Sequence, residues 1–455
     1  MPKPRPQTAL PMLRPRTSRP FRPVALATIL VLLAAVPPAA AEDWPQWRGA
    51  ERDGVWRESE IVERFEGDEI AIRWRAPVSN GYSGPTVAEG RVFLTDRVHE
   101  PESQERLLAF DFDDGSLLWS RSWPADYSRI SYRNGPRASV TVADGRAFAL
   151  GAVGHLICCD AATGEVLWFR DMANDFAVRV PTWGIAAAPL VDGDLLIVQV
   201  GGAPEACIIA LDKVTGEVRW TALEDEAAYS APIVIDQAGR RVLVCWTGAR
   251  IAGLDPATGE LLWDYPFVPR RWIDQVITPA VREDHLFVST FSDGSLMLRL
   301  LADRPGVEKV WRRMGASERQ TDGLHIQMGN PVFFDGCVFG IDSYGQLRCL
   351  DAATGERIWE DTTVTSQMRW GSAHMVTHGE HAWIFNDTGE LIIARLSREG
   401  YEEISRARLI APTHGQLDRG DGVTWAHPAF AHRHVLVRND RELVSATLAA
   451  PPPAP

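Results

Sequence analysis

The stretch LICCDAATGEVLWF, residues 156–169, recurs in several versions along the 455-residue chain. LRCLDAATGERIWE (347–360), IIALDKVTGEVRWT and IAGLDPATGELLWD are close copies, and LLAFDFDDGSLLWS is a looser one. In each copy a Gly follows an Asp by four residues and a Trp follows the same Asp by eight. The five sets are Asp111/Gly115/Trp119, Asp160/Gly164/Trp168, Asp212/Gly216/Trp220, Asp255/Gly259/Trp263 and Asp351/Gly355/Trp359. Asp303 and Trp311 keep the spacing in a degraded copy.

This pattern predicts a β-hairpin. An apolar strand ends at the Asp, whose carboxylate can accept hydrogen bonds from backbone N–H groups of the turn. The Gly supplies a left-handed φ without steric cost. A second alternating strand then runs out to the Trp.

The spacing of the tryptophans predicts the fold. Including Trp74, they recur about every 47 to 48 residues, and a second pair of short strands precedes each hairpin. Four short strands in a period of roughly 40–50 residues are typical of a β-propeller blade. We therefore predict an all-β, eight-bladed β-propeller of four-stranded antiparallel blades, with seven blades as the alternative. The predicted blades are 84–122, 136–171, 184–222, 228–266, 274–314, 325–362, 369–407 and 425–448, the last completed by an N-terminal strand at 69–78.

The first 41 residues precede the predicted fold. Six basic residues and a proline-rich start lead to the apolar run VALATILVLLAAVPPAAA, and the pattern Ala39-x-Ala41 stands before Glu42. This arrangement indicates a secretory signal peptide over residues 1–41, with an uncleaved membrane anchor as the alternative. No cysteine lies near the cleavage point, so we expect an exported, periplasmic or extracellular protein that is not a lipoprotein. Residues 42–68 form an N-terminal extension, 69–448 a single propeller and 449–455 a disordered Pro/Ala tail.

The charge of the chain excludes some partners. The whole chain has a formal net charge of −13, and residues 1–41 contain six basic residues and no acidic one, so residues 42–455 carry −19. Such an acidic domain lacks the basic surface that nucleic acids and anionic membranes require. We expect a monomer with no membrane span after signal cleavage.

The adjacent Cys158 and Cys159 admit two interpretations. Residues two before the Asp are small in all five copies (Ala109, Cys158, Ala210, Gly253 and Cys349), and residues one before it are mostly large. Consecutive strand residues point to opposite faces, so the pair is expected to fill a small slot and a larger one as buried apolar groups. A vicinal disulfide is the alternative, because an exported compartment permits one.

With these repeats, the chain resembles the pyrroloquinoline-quinone-like (PQQ-like) β-propeller repeat proteins. The resemblance rests on the LDxxTGExxW repeats, on DWPQWRG and RDGV at the start of the expected mature chain, and on NGPRASVTVADGR and PTWGIAAAPLVDGDLLIVQVGG. It implies one of two classes: quinoprotein dehydrogenases, which hold a quinone and calcium at the ring centre, or the outer-membrane β-barrel assembly factor, a scaffold without cofactor.

The resemblance to the dehydrogenases is partial. Trp183-Gly184 looks similar to the Trp-Gly that forms the floor under their quinone. Where the dehydrogenases place a calcium-ligating Asn after the next strand, this chain reads VGGAPE (200–205). No residues match the loop that carries their catalytic Asp. We therefore expect a non-catalytic binding or scaffold propeller without a cofactor, and keep a PQQ-dependent oxidoreductase with calcium as the alternative.

The polar and aromatic residues before each predicted innermost strand mark the central funnel. Rigid aromatic rings with a few convergent polar groups are typical of a ligand or peptide site, although such residues also plug channels. The candidate ligand-binding residues are Tyr82, Arg133, Asn134, Arg137, Trp183, Tyr229, Gln275, His325, Gln327, Trp370, Trp425 and His427. The partner is an unidentified protein or small molecule.

A second candidate site is a weak metal site. HMVTHGEH contains His374, His378 and His381, and His432 and His434 occupy the matching turn of the next blade. Convergent histidines would suit zinc, whereas a solvated histidine-rich turn is the ordinary interpretation.

Overall fold

The structure is a computed structural model that describes residues 1–4, 41–418 and 420–451. The chain divides into two compact units, Met1–Pro38 and Ala39–Pro455. Of the first unit, residues 1–4 are described and contain no helix or strand. The predicted signal peptide lies almost entirely outside the described residues, as do residues 452–455 of the predicted tail.

The second unit contains eight four-stranded antiparallel sheets, numbered here as blades in chain order. This confirms the eight-bladed β-propeller and excludes seven blades. Blade 1 contains β2 (Thr86–Ala88), β3 (Arg91–Val98), β4 (Gln104–Asp111) and β5 (Leu117–Pro124), and blade 2 contains β6 (Thr141–Ala143), β7 (Arg146–Leu150), β8 (His155–Asp160) and β9 (Val166–Asp171). Blade 3 contains β10 (Leu190–Asp192), β11 (Leu195–Gly202), β12 (Ala206–Asp212) and β13 (Val218–Ala222). Blade 4 contains β14 (Ile233–Gln237), β15 (Arg240–Trp246), β16 (Arg250–Leu254) and β17 (Leu261–Pro266). A four-residue helix, α1 (Met172–Asp175), follows β9.

Blades 5 to 8 repeat the arrangement. Blade 5 contains β18 (Ala280–Arg282), β19 (His285–Thr290), β20 (Gly294–Leu300) and β21 (Val307–Arg313), and blade 6 contains β22 (Val332–Phe334), β23 (Cys337–Ile341), β24 (Leu347–Asp351) and β25 (Arg357–Asp361). Blade 7 contains β26 (Ala373–His378), β27 (His381–Asn386), β28 (Glu390–Leu396) and β29 (Tyr401–Arg408). Blade 8 contains β30 (Ala429–Ala431), β31 (His434–Arg438) and β32 (Glu442–Thr447), together with β1 (Ile72–Pro77).

Blade 8 is completed by strands from both ends of the unit. β1 pairs antiparallel with β32, so that Pro77 lies opposite Glu442 and Trp74 opposite Ser445. The N-terminal strand is therefore the outermost strand of the last blade, as the sequence predicted. This pairing covers the edge of β32, and β1 becomes the outer strand of blade 8, in the position of the fourth strand of the other blades.

The repeated Trp joins each blade to the next. The indole N–H of Trp119 donates to the carbonyl of Ala161 at 3.1 Å, and that of Trp311 donates to Ala352 at 2.8 Å. In both pairs the acceptor is the residue after the turn Asp of the following blade. Three further tryptophans make the same bond, namely Trp74 to Phe112, Trp168 to Lys213 and Trp220 to Pro256.

The turn Gly has a second role that the sequence pattern did not indicate. Gly164 has a φ of +70°, and a Cβ built on it would lie 2.5 Å from the Trp119 ring. The same clash, at 2.5–2.8 Å, occurs between Gly115 and Trp74, and between Gly216 and Trp168. Gly is thus required both for the left-handed backbone and for the flat surface on which the preceding blade's indole rests.

The residue two before the turn Asp is small because it lies opposite the Trp of the same blade. Ala109 pairs with Trp119, Cys158 with Trp168 and Cys349 with Trp359. Cys158 and Cys159 are fully buried with free thiols, and burial raises the pKa of both to about 12. Cysteine at position 158 is therefore a small apolar neighbour of an indole, in agreement with the packing interpretation.

At two blade junctions the indole N–H of the repeated Trp donates to a different acceptor. Blade 5 lacks the Asp–Gly turn, and the Trp263 indole donates instead to the side-chain oxygen of Gln237 at 3.0 Å. The amide of Gln237 then donates to the Gly306 carbonyl in blade 5 at 2.6 Å. In blade 7 the acceptor for Trp359 is the Ser397 carbonyl at 3.0 Å.

The N-terminal extension completes the seam between blades 7 and 8, where β29 carries no Trp. Trp56 is buried there, with its ring 5.1 Å from Trp383 of blade 7 and 5.0 Å from Phe430 of blade 8. Phe65 packs on the same Trp383 ring at 6.0 Å. The N-terminal extension lies outside the repeats. It therefore supplies the aromatic wedge that the outer strand of blade 7 lacks.

We expect Gly164→Ala to destabilise the protein far more than Gly145→Ala. Both positions lie in blade 2 with nearly equal φ, +70° and +68°, but a Cβ at Gly145 meets nothing within 4 Å. Gly145→Ala should cost about 1 kcal/mol from backbone strain alone, and Gly164→Ala about 3 kcal/mol because the Trp119 ring must move. Urea unfolding followed by circular dichroism measures both. Equal losses would contradict the close contact between blades.

Candidate functional site

One end of the propeller channel is crossed by the N-terminal segment of residues 43–56. Trp44 pairs with Val87 in blade 1 through two backbone hydrogen bonds of 2.9 Å, and the Pro45 carbonyl accepts the Val142 N–H of blade 2 at 2.8 Å. The buried Arg52 guanidinium donates to the Pro189 carbonyl at 2.7 Å. The segment is thereby held to several blades at once.

Trp47 of this segment points to the ring centre. Its indole N–H donates to the Thr278 hydroxyl at 2.7 Å. Its ring lies edge-on to His427 at 4.6 Å and to His374 at 6.4 Å. Because Thr278 belongs to blade 5, whereas His374 and His427 belong to blades 7 and 8, Trp47 connects blades that are not neighbours in the ring and forms the floor of the channel.

The two floor histidines are neutral. Burial lowers the pKa of His374 to about 4 and that of His427 to about 3. His374 Nε2 lies 2.9 Å from the Trp425 carbonyl, and His427 Nδ1 lies 3.2 Å from the Pro428 carbonyl. Each ring nitrogen facing a carbonyl must carry the proton, so His427 Nε2 accepts the Ser139 hydroxyl at 2.6 Å.

A cavity of about 220 Å³ lies above this floor. Trp272, 46% exposed, lies at its rim, so the cavity reaches the protein surface. Eight of the twelve residues expected from the sequence to line the funnel do line it: Tyr82, Arg137, Trp183, Tyr229, Gln327, Trp370, Trp425 and His427.

Aromatic rings in contact form two parts of the wall. Tyr132 lies 5.9 Å from Trp370 and 6.2 Å from Trp425. On the opposite side Trp183 packs on Tyr229 at 5.0 Å, and the Tyr229 hydroxyl accepts the Trp183 backbone N–H at 3.3 Å. Burial raises the pKa of Tyr229 to about 12, so the hydroxyl is uncharged. Rings fixed in this way present a rigid apolar surface.

Two guanidinium groups interrupt the aromatic wall. Arg137 lies 5.0 Å from the Tyr82 ring centre and donates to backbone carbonyls, among them that of Ser131 at 2.9 Å. Arg369 lies 4.6 Å from the Trp370 ring centre and pairs with Glu318 at 2.7 Å. Among the described residues, Arg137 forms no ion pair, so the cavity carries positive charge.

Four of the expected residues do not line the cavity. Arg133 turns outward to the Ser128 carbonyl at 3.0 Å. Asn134 is buried against Asp440. Gln275 and His325 are buried within the loops, where Gln275 accepts the Asp274 N–H at 2.9 Å and His325 accepts the Gly315 N–H at 3.1 Å. They satisfy loop backbone groups, a role that residue type alone does not distinguish from lining a funnel.

Several lining residues were not predicted. The principal ones are Trp47, Tyr132, Ser139, Trp272, Phe291, Met328 and Arg369. Trp47 stands in DWPQWRG, a motif that indicates a family resemblance but no position in the fold. Its role depends on a contact with a residue 231 positions later in the chain, which no local pattern reveals.

The histidine-rich turns do not converge on a metal site. His378 Nε2 lies 2.7 Å from the Glu58 carbonyl, and His432 Nε2 lies 2.7 Å from the Asp43 carboxylate. His434 Nδ1 bonds the His432 carbonyl at 2.6 Å, and His381 lies on the strand opposite His378. Within the described part of the chain, no group of three or more His, Cys, Asp or Glu side chains has the geometry to hold a metal ion.

The cavity is poorly suited to a calcium ion. Calcium takes six to eight oxygen ligands, commonly including carboxylates. Among the described residues that line the cavity there is no Asp or Glu, and the charged groups are the guanidiniums of Arg137 and Arg369. A cation placed here would meet positive charge and aromatic rings.

Comparison with known proteins matches the chain to one family and to relatives of the same kind. The PQQ_2 family, described as outer membrane protein assembly factor BamB, matches residues 65–139 and 129–361. The chain is 24% identical to the outer membrane protein assembly factor BamB of Yersinia pestis over 221 residues, which cover 47% of this chain and 53% of that protein. It is 27% identical to the quinoprotein alcohol dehydrogenase PedH of Pseudomonas putida over 345 residues, 68% of this chain and 51% of that protein.

Solved structures share the fold at low identity. BamB from Moraxella catarrhalis superposes with a TM-score of 0.57 at 16% identity, over 83% of this chain and 99% of that chain. Quinohemoprotein alcohol dehydrogenase from Comamonas testosteroni gives 0.61 at 14% identity, over 91% and 81%. Among the described residues, no helix is both long and apolar enough to cross a bilayer.

The matched regions span about half the length of the two curated relatives described above. The family match, in contrast, runs from residue 65 to residue 361 and covers well over half of this chain. With eight four-stranded blades joined by the LDxxTGExxW turns, this protein belongs to the PQQ_2 family, described as outer membrane protein assembly factor BamB.

Proposed function

We propose that this protein is an exported, non-catalytic binding propeller whose funnel cavity holds an apolar group of a protein partner, as a scaffold comparable to the assembly-factor relatives. The observation that carries the proposal is the rigid aromatic cavity closed from below by Trp47. Pre-formed aromatic pockets with few polar groups favour binding, because little side-chain freedom is lost when they fill.

The polar groups of the wall indicate what the bound segment presents. The Arg137 guanidinium lines the cavity beside Tyr82 and is a charged donor without an ion pair among the described residues. A segment with an apolar side chain flanked by a carboxylate would fill the cavity and pair with this guanidinium.

The nucleophile–base pair that the described lining residues form, Ser139 with His427, is poorly suited to catalysis. Ser139 bonds His427, but burial lowers the His427 pKa to about 3. Such an imidazole is a weak proton acceptor near neutral pH. Its other nitrogen faces the Pro428 carbonyl and not a carboxylate that could stabilise an imidazolium. This geometry supports binding and not hydrolysis.

A photo-crosslinking side chain at Gln327, which lines the cavity, should capture a protein partner in the exporting bacterium. The same group at Lys309, exposed on outer strand β21, is the matched control and should not. Trp183→Ala with Trp370→Ala should lower the Gln327 adduct at least tenfold, because truncating aromatic anchors removes most of the contact. Mass spectrometry identifies the adduct. Equal capture at both positions, or capture unaffected by the double substitution, would refute the funnel as the binding site.

Addition of PQQ and calcium to the purified protein should produce no dye-linked oxidation of alcohols or sugars. The reason is that guanidinium groups, and no carboxylate among the described residues, face the cavity. A calcium-dependent quinone absorbance band together with dye reduction would establish the dehydrogenase alternative instead.

The free energy of unfolding should fall as the pH drops from about 6.5 to 4. Burial lowers the folded-state pKa of His374 and His427 below the unfolded value, so acid protonates the unfolded chain first and stabilises it. Each histidine should contribute roughly 1–3 kcal/mol over this range. Urea unfolding at several pH values measures the effect, and His374→Gln with His427→Gln should flatten it. The same slope in that double variant would show that other groups cause the acid sensitivity.

A further inference from the structure

The carboxylate of Glu58 is buried without a cationic partner. Glu58 is 1% exposed and accepts three hydrogen bonds, from the Glu42 backbone N–H at 2.7 Å, the Trp56 indole at 2.8 Å and the Arg433 backbone N–H at 2.7 Å. All three donors are neutral in the uncut chain. In the described part of the chain no basic side chain forms an ion pair with it.

The neighbouring guanidinium groups are engaged elsewhere. Arg57 pairs with Asp53, and the Arg433 guanidinium pairs with Glu60 at 2.9 Å. A buried carboxylate whose only partners are neutral is costly, and proteins ordinarily give such a group a positive partner.

One of the three donors is at the predicted processing point. The Ala39-x-Ala41 pattern ends directly before Glu42, so the peptide nitrogen that contacts Glu58 would become the first atom of the mature chain. The cleavage pattern in the sequence and the buried acid in the fold are independent observations, and both concern the backbone nitrogen of Glu42.

We propose that the Ala41–Glu42 bond is hydrolysed by an endopeptidase of the signal-peptidase class and that the new α-ammonium group of Glu42 forms a buried ion pair with Glu58. Water adds to the Ala41 carbonyl carbon, the C–N bond breaks, and the products are the Ala41 carboxylate and the protonated Glu42 amine. Processing thus replaces a neutral donor to the Glu58 carboxylate with a positively charged one.

The position of Glu58 gives this ion pair a structural role. The same carboxylate binds Trp56, whose ring lies between Trp383 and Phe430, and the backbone of Arg433 in blade 8. The mature N-terminus would therefore fasten the aromatic wedge at the seam of blades 7 and 8. Removal of the leader then has a consequence for stability as well as for export.

The test uses the full chain, exported in a Gram-negative host and purified from the periplasm. N-terminal sequencing and intact mass should identify Glu42 as the first residue, and any other first residue overturns the proposal. A Gly-Ser insertion between Ala41 and Glu42 keeps the cleavage pattern but leaves a neutral amide at Glu42. This variant should unfold with an equilibrium constant at least about tenfold larger than that of the unmodified protein.

Glu58→Gln, placed in both backgrounds, measures the coupling. In the unmodified mature protein it should increase the unfolding constant roughly 100-fold, because the ammonium loses its buried partner. In the insertion variant the increase should be at least about tenfold smaller, since no charge pair exists there to break. Equal effects in the two backgrounds overturn the ion pair. Should Glu58→Gln fail to fold, the insertion alone decides, and an unchanged urea midpoint refutes the proposal.

Discussion

The contact on which the structure depends is the placement of an indole from one blade on a glycine turn of the next. Its ring rests on the flat face of the Gly, and its N–H satisfies a carbonyl that the turn would otherwise leave exposed. The turn Asp fixes that carbonyl by accepting backbone N–H bonds, as Asp160 does from Thr163 at 2.8 Å. A four-stranded blade cannot bury both faces alone, so the repeated contact turns separate sheets into one ring.

The sequence predicted the ring well because this contact is local in its determinants. Asp, Gly and Trp fall within nine residues, and their five full copies, together with the recurring short strands, predicted eight blades and the closing strand at Trp74. The funnel was predicted less well. Residues before an innermost strand alternate between the channel and the loop interior, so Gln327 faces the cavity whereas Gln275 and His325 bond loop backbone. Trp47 could not be placed, because its position follows from long-range contacts of a segment outside the repeats.

The family to which the chain belongs shows how little the ring constrains the chemistry. Assembly factors and quinone-dependent dehydrogenases both resemble it in fold. The functional difference between these two classes of protein must therefore lie in the cavity residues, since one fold commonly carries several functions. Here the wall combines aromatic rings with the guanidinium groups of Arg137 and Arg369, and the floor is a segment of the protein's own chain. Such a floor makes the cavity a blind pocket at that end and suits it to hold a group that enters from the rim.

The pairing of β1 with β32 has a consequence for biogenesis. Blade 8 gains its outermost strand only when Pro77 meets Glu442, near the opposite end of the propeller. Contacts so far apart in sequence form slowly, because a long loop must close before they contribute. The polypeptide therefore lacks a complete native topology until almost its entire length has emerged. That delay makes the interval before closure the stage at which a chaperone would be most valuable.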